Sequence, residues 1–253
     1  MWNKGVLGTY SSKVLLQTVF FYNGKNFCLR GRQEHQTLRF SQIVHYNNPD
    51  RYTYFEFGSK NHHGGVNDTS QGKAVTIVDN GSSYSHVALL DLYLAKVPRA
   101  DIDNDNLFYL SPLPFTPLRE RSWYFSDPFS SKSLTSLVKN MTTEAGLEGN
   151  FTNHSLRATG ATVLYDAGVP EGVIQKRTGH KSLDALRCYE RTTMTQNLEV
   201  SNLLHQATAV LHNEDPDFSL TPSELEQFKL EQFELEQLED SRTDSMTMPT
   251  MVP

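Results

Sequence analysis

Cysteine is scarce in this chain: there are two, Cys28 and Cys188, in 253 residues. Two thiols supply neither a disulfide scaffold nor, alone, a zinc site, and they fit a reducing compartment. No apolar run approaches the roughly 18 residues of a membrane-spanning helix. The N-terminus lacks the basic-then-apolar pattern of a secretory leader, so a membrane partner is not expected. Without that route, the Asn-x-Ser/Thr sequons at Asn67, Asn80, Asn140, Asn150 and Asn153 carry no weight. Positive charge is also short, with 23 Lys and Arg against 29 Asp and Glu and a formal net charge of −6.

That deficit is unevenly spread. Residues 214–253 hold 11 acidic residues against Lys229 and Arg242, so the preceding body keeps 21 basic and 18 acidic residues. A mildly basic body can still carry a basic groove, because distribution matters more than the sum. The organisation expected is therefore a domain over 1–213 followed by an acidic tail over 214–253. The tail repeats ELEQF, KLEQF, ELEQL between Glu224 and Leu238. A five-residue period matches neither 3.6 nor 3.5, so it gives no continuous apolar stripe, and the tail reads as disordered or marginally helical. The plain reading gives it no function of its own, with shielding a basic groove or binding an unknown protein as the alternatives.

Within the body, Ser12–Tyr22 reads as an apolar helix broken by Asn23-Gly24, and a second helix runs from Arg30 to about Leu38. A small sheet is expected between about Gln42 and Val78, because Arg51–Phe57 alternates like a strand. Ser85 caps a helix through Val97. Pro112–Pro128 reads as a loop, Ser131 or Ser133 opens a helix ending near Gly146, and a last helix runs from about Gln196 to His212. The class is mainly α with a small antiparallel β-sheet.

The chemistry concentrates in Asn153–Thr193, NHSLRATGATVLYDAGVPEGVIQKRTGHKSLDALRCYERTT. His154 and Arg157 are three apart and share a helix face. That helix stops at Gly168, Pro170 suits the first turn of the next, which stops at Gly179, and Ser182 caps a third carrying Tyr189. Three short helices with tight turns bring His154, Arg157, His180 and Tyr189 together. Phosphoryl transfer to a tyrosine needs such groups: cations for the phosphate and a base for the phenol.

The ordered H-x-x-R, Gly-His and Tyr elements resemble the C-terminal signature of the tyrosine recombinases, or phage integrases. NKGVLGTYSS, FFYNGKNFCLRGRQEH and GHKSLDALRCYERT are similar to the branch of Crypton-type transposon recombinases and their domesticated descendants. The resemblance covers about Met1 to Ala207 and implies the recombinase catalytic-domain fold. It also implies an upstream arginine, matched by Arg30 with Arg32 as competitor, and a hairpin lysine, matched by Lys60 with Lys73 as alternative. In the roles it implies, Arg30 and Arg157 hold the scissile phosphate, Tyr189 attacks it, and His154 takes the phenolic proton. Lys60 protonates the departing 5′-hydroxyl, and His180 hydrogen-bonds the phosphate. No cofactor and no metal is required. Double-stranded DNA is the partner, with self-association on DNA and a nuclear location. The family's N-terminal DNA-clamp domain has no counterpart in the 253 residues.

Each residue has a plainer reading. A lone tyrosine on an amphipathic helix usually packs with its hydroxyl at the surface, and Lys176, Arg177 and Arg187 read as solvated. Cys188 reads as a small packing residue. Two function classes remain open: DNA strand breakage and rejoining through a 3′-phosphotyrosine, in recombination or integration of a transposon-like element, and a non-catalytic DNA- or chromatin-binding module on the same fold. A free-standing helix-turn-helix regulator over Val163–Gly179 accounts for neither Tyr189 nor the upstream match.

Overall fold

A computed structural model describes residues 1–56, 72–115, 122–192 and 194–213. The chain divides into two compact units, Met1–Arg191 and Thr192–Pro253. The boundary expected from charge, at 213/214, falls within the second unit, whose described part is one helix, α9 (Met194–Asn213). The repeat tail lies outside the described residues.

The first unit is built around α1 (Ser12–Asn26), which is apolar on most sides and buried at Val14–Phe20, Asn23 and Gly24. A helix of that kind belongs inside a core rather than on its surface. Ser11 caps it, its hydroxyl accepting the Val14 N–H at 3.3 Å. Asn23-Gly24 does not break it, contrary to the sequence reading. Asn23 Nδ2 donates to the Tyr109 hydroxyl at 3.0 Å, Asn23 Oδ1 lies 2.9 Å from His86 Nε2, and Gly24 leaves room for Leu156. Buried partners outweigh the weak helix propensity of both residues. The helix expected over Arg30–Leu38 shrinks to α2 (Gln33–Gln36), because the Arg30 N–H goes to the Glu34 carboxylate at 2.9 Å.

The small sheet forms where expected. β1 (Ile43–Asn47), β2 (Asp50–Phe55) and β3 (Ala74–Val78) pair antiparallel in that order. Tyr54 stands opposite Ile43 and Val75, and Tyr52 opposite His45 and Ile77. Tyr52, Tyr54, Val75 and Ile77 face the core, as a two-residue period requires. Behind β2 and β3 lies α3 (His86–Lys96), capped by Ser85, whose hydroxyl accepts the Ala88 N–H at 3.0 Å. The Tyr52 hydroxyl donates to Asp91 at 2.6 Å, tying the sheet to α3.

After the short α4 (Arg99–Asp103), β4 (Leu110–Pro112) pairs with β5 (Tyr124–Pro128), where a loop was expected. The pairing is fixed from outside: the buried Tyr124 hydroxyl donates to the Ser12 carbonyl at 3.0 Å. α5 (Ser131–Glu144) starts after Ser130, one residue before the earlier of the two expected openers, and buries Leu134, Leu137, Val138 and Met141 at amphipathic spacing. The three expected C-terminal helices are α6 (Asn153–Asp166), α7 (Glu171–Thr178) and α8 (Leu183–Arg187). The fold is mainly helical with small antiparallel sheets, as the sequence implied.

Candidate active site

Helix α6 organises the site. The Ser155 hydroxyl accepts the Thr152 N–H at 3.0 Å and closes its first turn. Its buried stripe is Asn153, Leu156, Arg157, Gly160 and Ala161, so an arginine occupies a core position. Asn153 ties the stripe to α5, its Nδ2 donating to the Leu134 carbonyl at 2.7 Å. Two glycines allow the closest approaches. A Cβ on Gly160 would run into the Lys25 carbonyl oxygen, and one on Gly31 would sit 2.6 Å from the His154 amide nitrogen. The Arg30 segment is thus held directly against the start of α6.

Arg157 is 4% exposed, and among the described residues its buried Nε and Nη1 have no hydrogen-bond partner. Buried guanidinium donors left that way are costly, and an anionic group would satisfy them. Burial lowers the Arg157 pKa, and Glu34 opposes that shift. Arg30 is half-buried beside it: Nη1 lies 2.8 Å from both Glu34 Oε1 and Glu56 Oε1, and Nη2 donates to the Gly179 carbonyl at 3.5 Å. Of the two arginines weighed from sequence, Arg30 joins this cluster, whereas Arg32 is exposed at the start of α2.

Lys60, the first choice for the hairpin lysine, lies outside the described residues. Lys73, the alternative, is 8% exposed, and its Nζ donates to the Cys28 carbonyl at 2.8 Å. Its Cδ comes within 3.2 Å of a Cβ placed on Gly179, beside Arg30 Nη2. Burial lowers the Lys73 pKa to about 8, so the ammonium remains the main form at neutral pH. Together Glu56, Lys73, Lys176, Gly179, His180 and Lys181 line an open cleft.

Gly179 ends α7 in the left-handed conformation, with φ 71°, and this turns His180 back towards the site. His180 Nδ1 lies 2.7 Å from the Thr178 hydroxyl. Burial and the nearby cation Arg157 push its pKa down to about 4, so the imidazole is neutral. Tyr189 lies in the turn just past α8 rather than within it, its N–H reaching the Leu186 carbonyl at 3.0 Å. Thr162 donates to the Tyr189 carbonyl at 3.1 Å, and the phenolic oxygen is 3.0 Å from His154 Nε2. The His180 and Tyr189 rings are 5.4 Å apart. Burial raises the Tyr189 pKa, Cys188 adding to the rise and Arg157 opposing it, so the phenol is protonated at neutral pH. Burial, then Arg157, lowers the His154 pKa, which leaves it neutral. With its proton on Nδ1, its Nε2 accepts the phenolic O–H.

Arg30, His154, Arg157, His180 and Tyr189 therefore lie in one cluster; the helix spacing implied this for the last four, and the resemblance for Arg30. Two expectations about other basic residues need correction. Arg177 is not merely solvated: its Nε and Nη2 donate to the Asn26 carbonyl at 3.1 and 2.9 Å, fastening α7 to the end of α1. Arg187 is half-exposed but clasps Glu171 at 2.9 and 3.1 Å, linking α8 to α7. The sequence reading missed Glu56, Thr162, Glu171 and Thr178. Glu56 had a signal, since it shares the buried parity of Tyr52 and Tyr54 on the strand; the others had none.

Comparison with known proteins identifies the fold. A solved structure of the XerH site-specific recombinase bound to palindromic difH substrate, a post-cleavage complex, superposes with a TM-score of 0.52 over 80% of this chain and 51% of that one, at 17% identity. The fold is that of the tyrosine recombinase catalytic domain. Human transcriptional regulator QRICH1 is 26% identical over 150 residues, 54% of this chain and 19% of the relative. The mouse homologue of the uncharacterized protein KIAA1958 is 27% identical over 158 residues, 60% of this chain and 22% of the relative. The matches span about a fifth of these relatives' lengths. Residues 1–143, more than half of the chain, match the family described as domain of unknown function (DUF3504), and the chain belongs to that family.

Proposed function

We propose that this chain breaks and rejoins DNA strands with Tyr189 as nucleophile. The observation that carries this reading is the Tyr189 hydroxyl 3.0 Å from His154 Nε2, beside buried Arg157, two of whose nitrogens have no acceptor among the described residues. In the proposed step the phenolic oxygen attacks phosphorus while its proton passes to His154 Nε2. The bond from phosphorus to the 5′-oxygen breaks, and that oxygen takes a proton from a lysine. Lys60 and Lys73 are the candidates for this role, and the position of Lys73 in the cleft lining supports the second. Arg30 and Arg157 stabilise the charge on the pentacoordinate phosphorus, a task suited to planar guanidinium groups that bind oxygen pairs. His180 hydrogen-bonds the phosphate, its Nδ1 held 2.7 Å from the Thr178 hydroxyl. The products are a 3′-phosphotyrosine and a free 5′-hydroxyl, so the bond energy is conserved for rejoining and no cofactor is consumed.

DNA binding through the cleft, self-association on DNA, descent from a Crypton-type element and a nuclear location all belong to this proposal. The second reading is a non-catalytic DNA- or chromatin-binding module, which the likeness to a protein named as a transcriptional regulator favours.

Covalent trapping separates the two. The purified chain is incubated with supercoiled plasmid and denatured, and protein linked to DNA is measured beside Tyr189→Phe. A link formed by the wild type and lost in Tyr189→Phe is the expected result. Salt-sensitive DNA binding without any link would move the assignment to the binding module.

A further inference from the structure

Arg30 is held by more negative charge than one guanidinium needs. Glu34 reaches it from one turn away, with Oε1 2.8 Å from Nη1 and Oε2 accepting the Arg30 N–H at 2.9 Å. Glu56 arrives from a distant segment, just past β2, and its Oε1 also lies 2.8 Å from Nη1. The Glu56 side chain is 3% exposed, and its N–H pairs with the Lys73 carbonyl at 2.8 Å. Both carboxylates thus converge on one nitrogen, Nη1. The other terminal nitrogen, Nη2, makes among the described residues a 3.5 Å bond to the Gly179 carbonyl, beside the cleft that Lys73 and His180 line.

A guanidinium is planar and rigid, so fixing one edge fixes the other. Glu34 alone sits on the same local segment as Arg30 and moves with it. Glu56 belongs to the sheet, and its backbone is hydrogen-bonded to Lys73. It therefore ties the orientation of Arg30 to the strand that carries the lysine. The arrangement has an electrostatic cost: the Glu56 carboxylate offsets part of the positive charge that Arg30, Lys73 and the other cleft lysines offer to phosphate.

We propose that Glu56 is a positioning residue that holds the inner edge of Arg30, aiming Nη2 at a phosphate in register with Lys73 at the expense of DNA affinity. The proposal rests on the strand-breaking reading, and it makes two readouts move in opposite directions. Glu56→Gln removes charge at constant size. It is expected to tighten low-salt DNA binding about fivefold while lowering the covalent yield about tenfold or more through lost alignment.

The test compares wild type, Glu56→Gln, Arg30→Gln and the double variant by salt-titrated DNA binding and covalent trapping. If Glu56 positions Arg30, the loss of covalent yield is absent in the Arg30→Gln background, whereas the gain in DNA affinity, a through-space charge effect, remains there. An equal loss of covalent yield in both backgrounds, or no loss in the single variant, overturns the proposal. If the wild type forms no covalent link, the strand-breaking reading itself fails, whereas a wild-type link that Glu56→Gln leaves unchanged overturns the positioning alone. Should Glu56→Gln not fold, Glu56→Asp decides, since it keeps the charge and shortens the reach. A reduced covalent yield at unchanged DNA affinity supports positioning, and a normal yield at unchanged affinity overturns it.

Discussion

At the scale of a single residue, Arg157 stands where packing alone favours an apolar side chain. Its neighbours on the α6 stripe are Leu156, Gly160 and Ala161, and an apolar residue there would bury cleanly. The guanidinium instead has two buried nitrogens without acceptors. Arg157→Met therefore is expected to raise stability by about 1–3 kcal/mol, as replacement of uncompensated buried charge often does. Urea unfolding measures this, and covalent trapping of the same variant is expected to fall to background. Inorganic phosphate would raise the melting point of the wild type but not of Arg157→Met, because an anion that binds only the folded state stabilises it. Lys73 gives a second test. With its pKa lowered to about 8, Lys73 in the proposed role donates a proton below that pH and loses the ability above it. Single-turnover cleavage is expected to decline as pH rises through 8. Lys73→Ala would be restored by a substrate whose leaving 5′-oxygen is replaced by sulfur, which departs without a proton. Rescue of Lys60→Ala instead would assign the role to Lys60.

At the scale of elements, the site depends on how closely α1 and α6 meet. Gly160 faces the Lys25 carbonyl with no room for a Cβ, so Gly160→Val must push α6 away. A loss of about 1–3 kcal/mol is expected from such overpacking, read by urea unfolding, with covalent trapping reduced because Arg157 and His154 ride on the displaced helix. Behind this contact lies a buried polar chain from His86 through Asn23 and Tyr109 to His35. Burial lowers the pKa of His35 and of His86 to about 3, and that of His180 to about 4. The unfolded chain binds protons at these groups near pH 6.5, before the folded one does. Stability is therefore complete above about pH 6.5 and is lost as pH falls towards 3. Melting points between pH 7.5 and 4 check this. His86→Gln is expected to flatten the slope, since one of the three groups is removed.

For the whole molecule, charge distribution outweighs the net value of −6. The 11 acidic residues of 214–253 set the sign of the total, whereas the body retains a small positive excess. Ending the chain at 213 is expected to strengthen DNA binding at low salt, with the gain vanishing near 0.5 M salt, where the screening length is only about 4 Å. Parallel titrations of the full and shortened chains test this, and equal affinities at low salt would refute it.

Much of this was legible in the sequence because the signals are local. Capping by Ser85 and Ser182, the stops at Gly168 and Gly179, and the three-residue spacing of His154 and Arg157 all act within a helical turn or two. The order and spacing of Arg30, His154, Arg157, His180 and Tyr189 followed from the same signals and the resemblance they carry. Tertiary structure decided the rest. Whether Arg30 or Arg32 enters the cluster depends on Glu56 and Gly179, which are 26 and 149 residues away. Asn23-Gly24 continues α1 because His86, Tyr109 and Leu156 receive it, and Arg177 is structural because the end of α1 offers it a carbonyl. Local sequence fixes backbone conformation over a few residues, but the direction in which a polar side chain finds its partners depends on segments that only folding brings near.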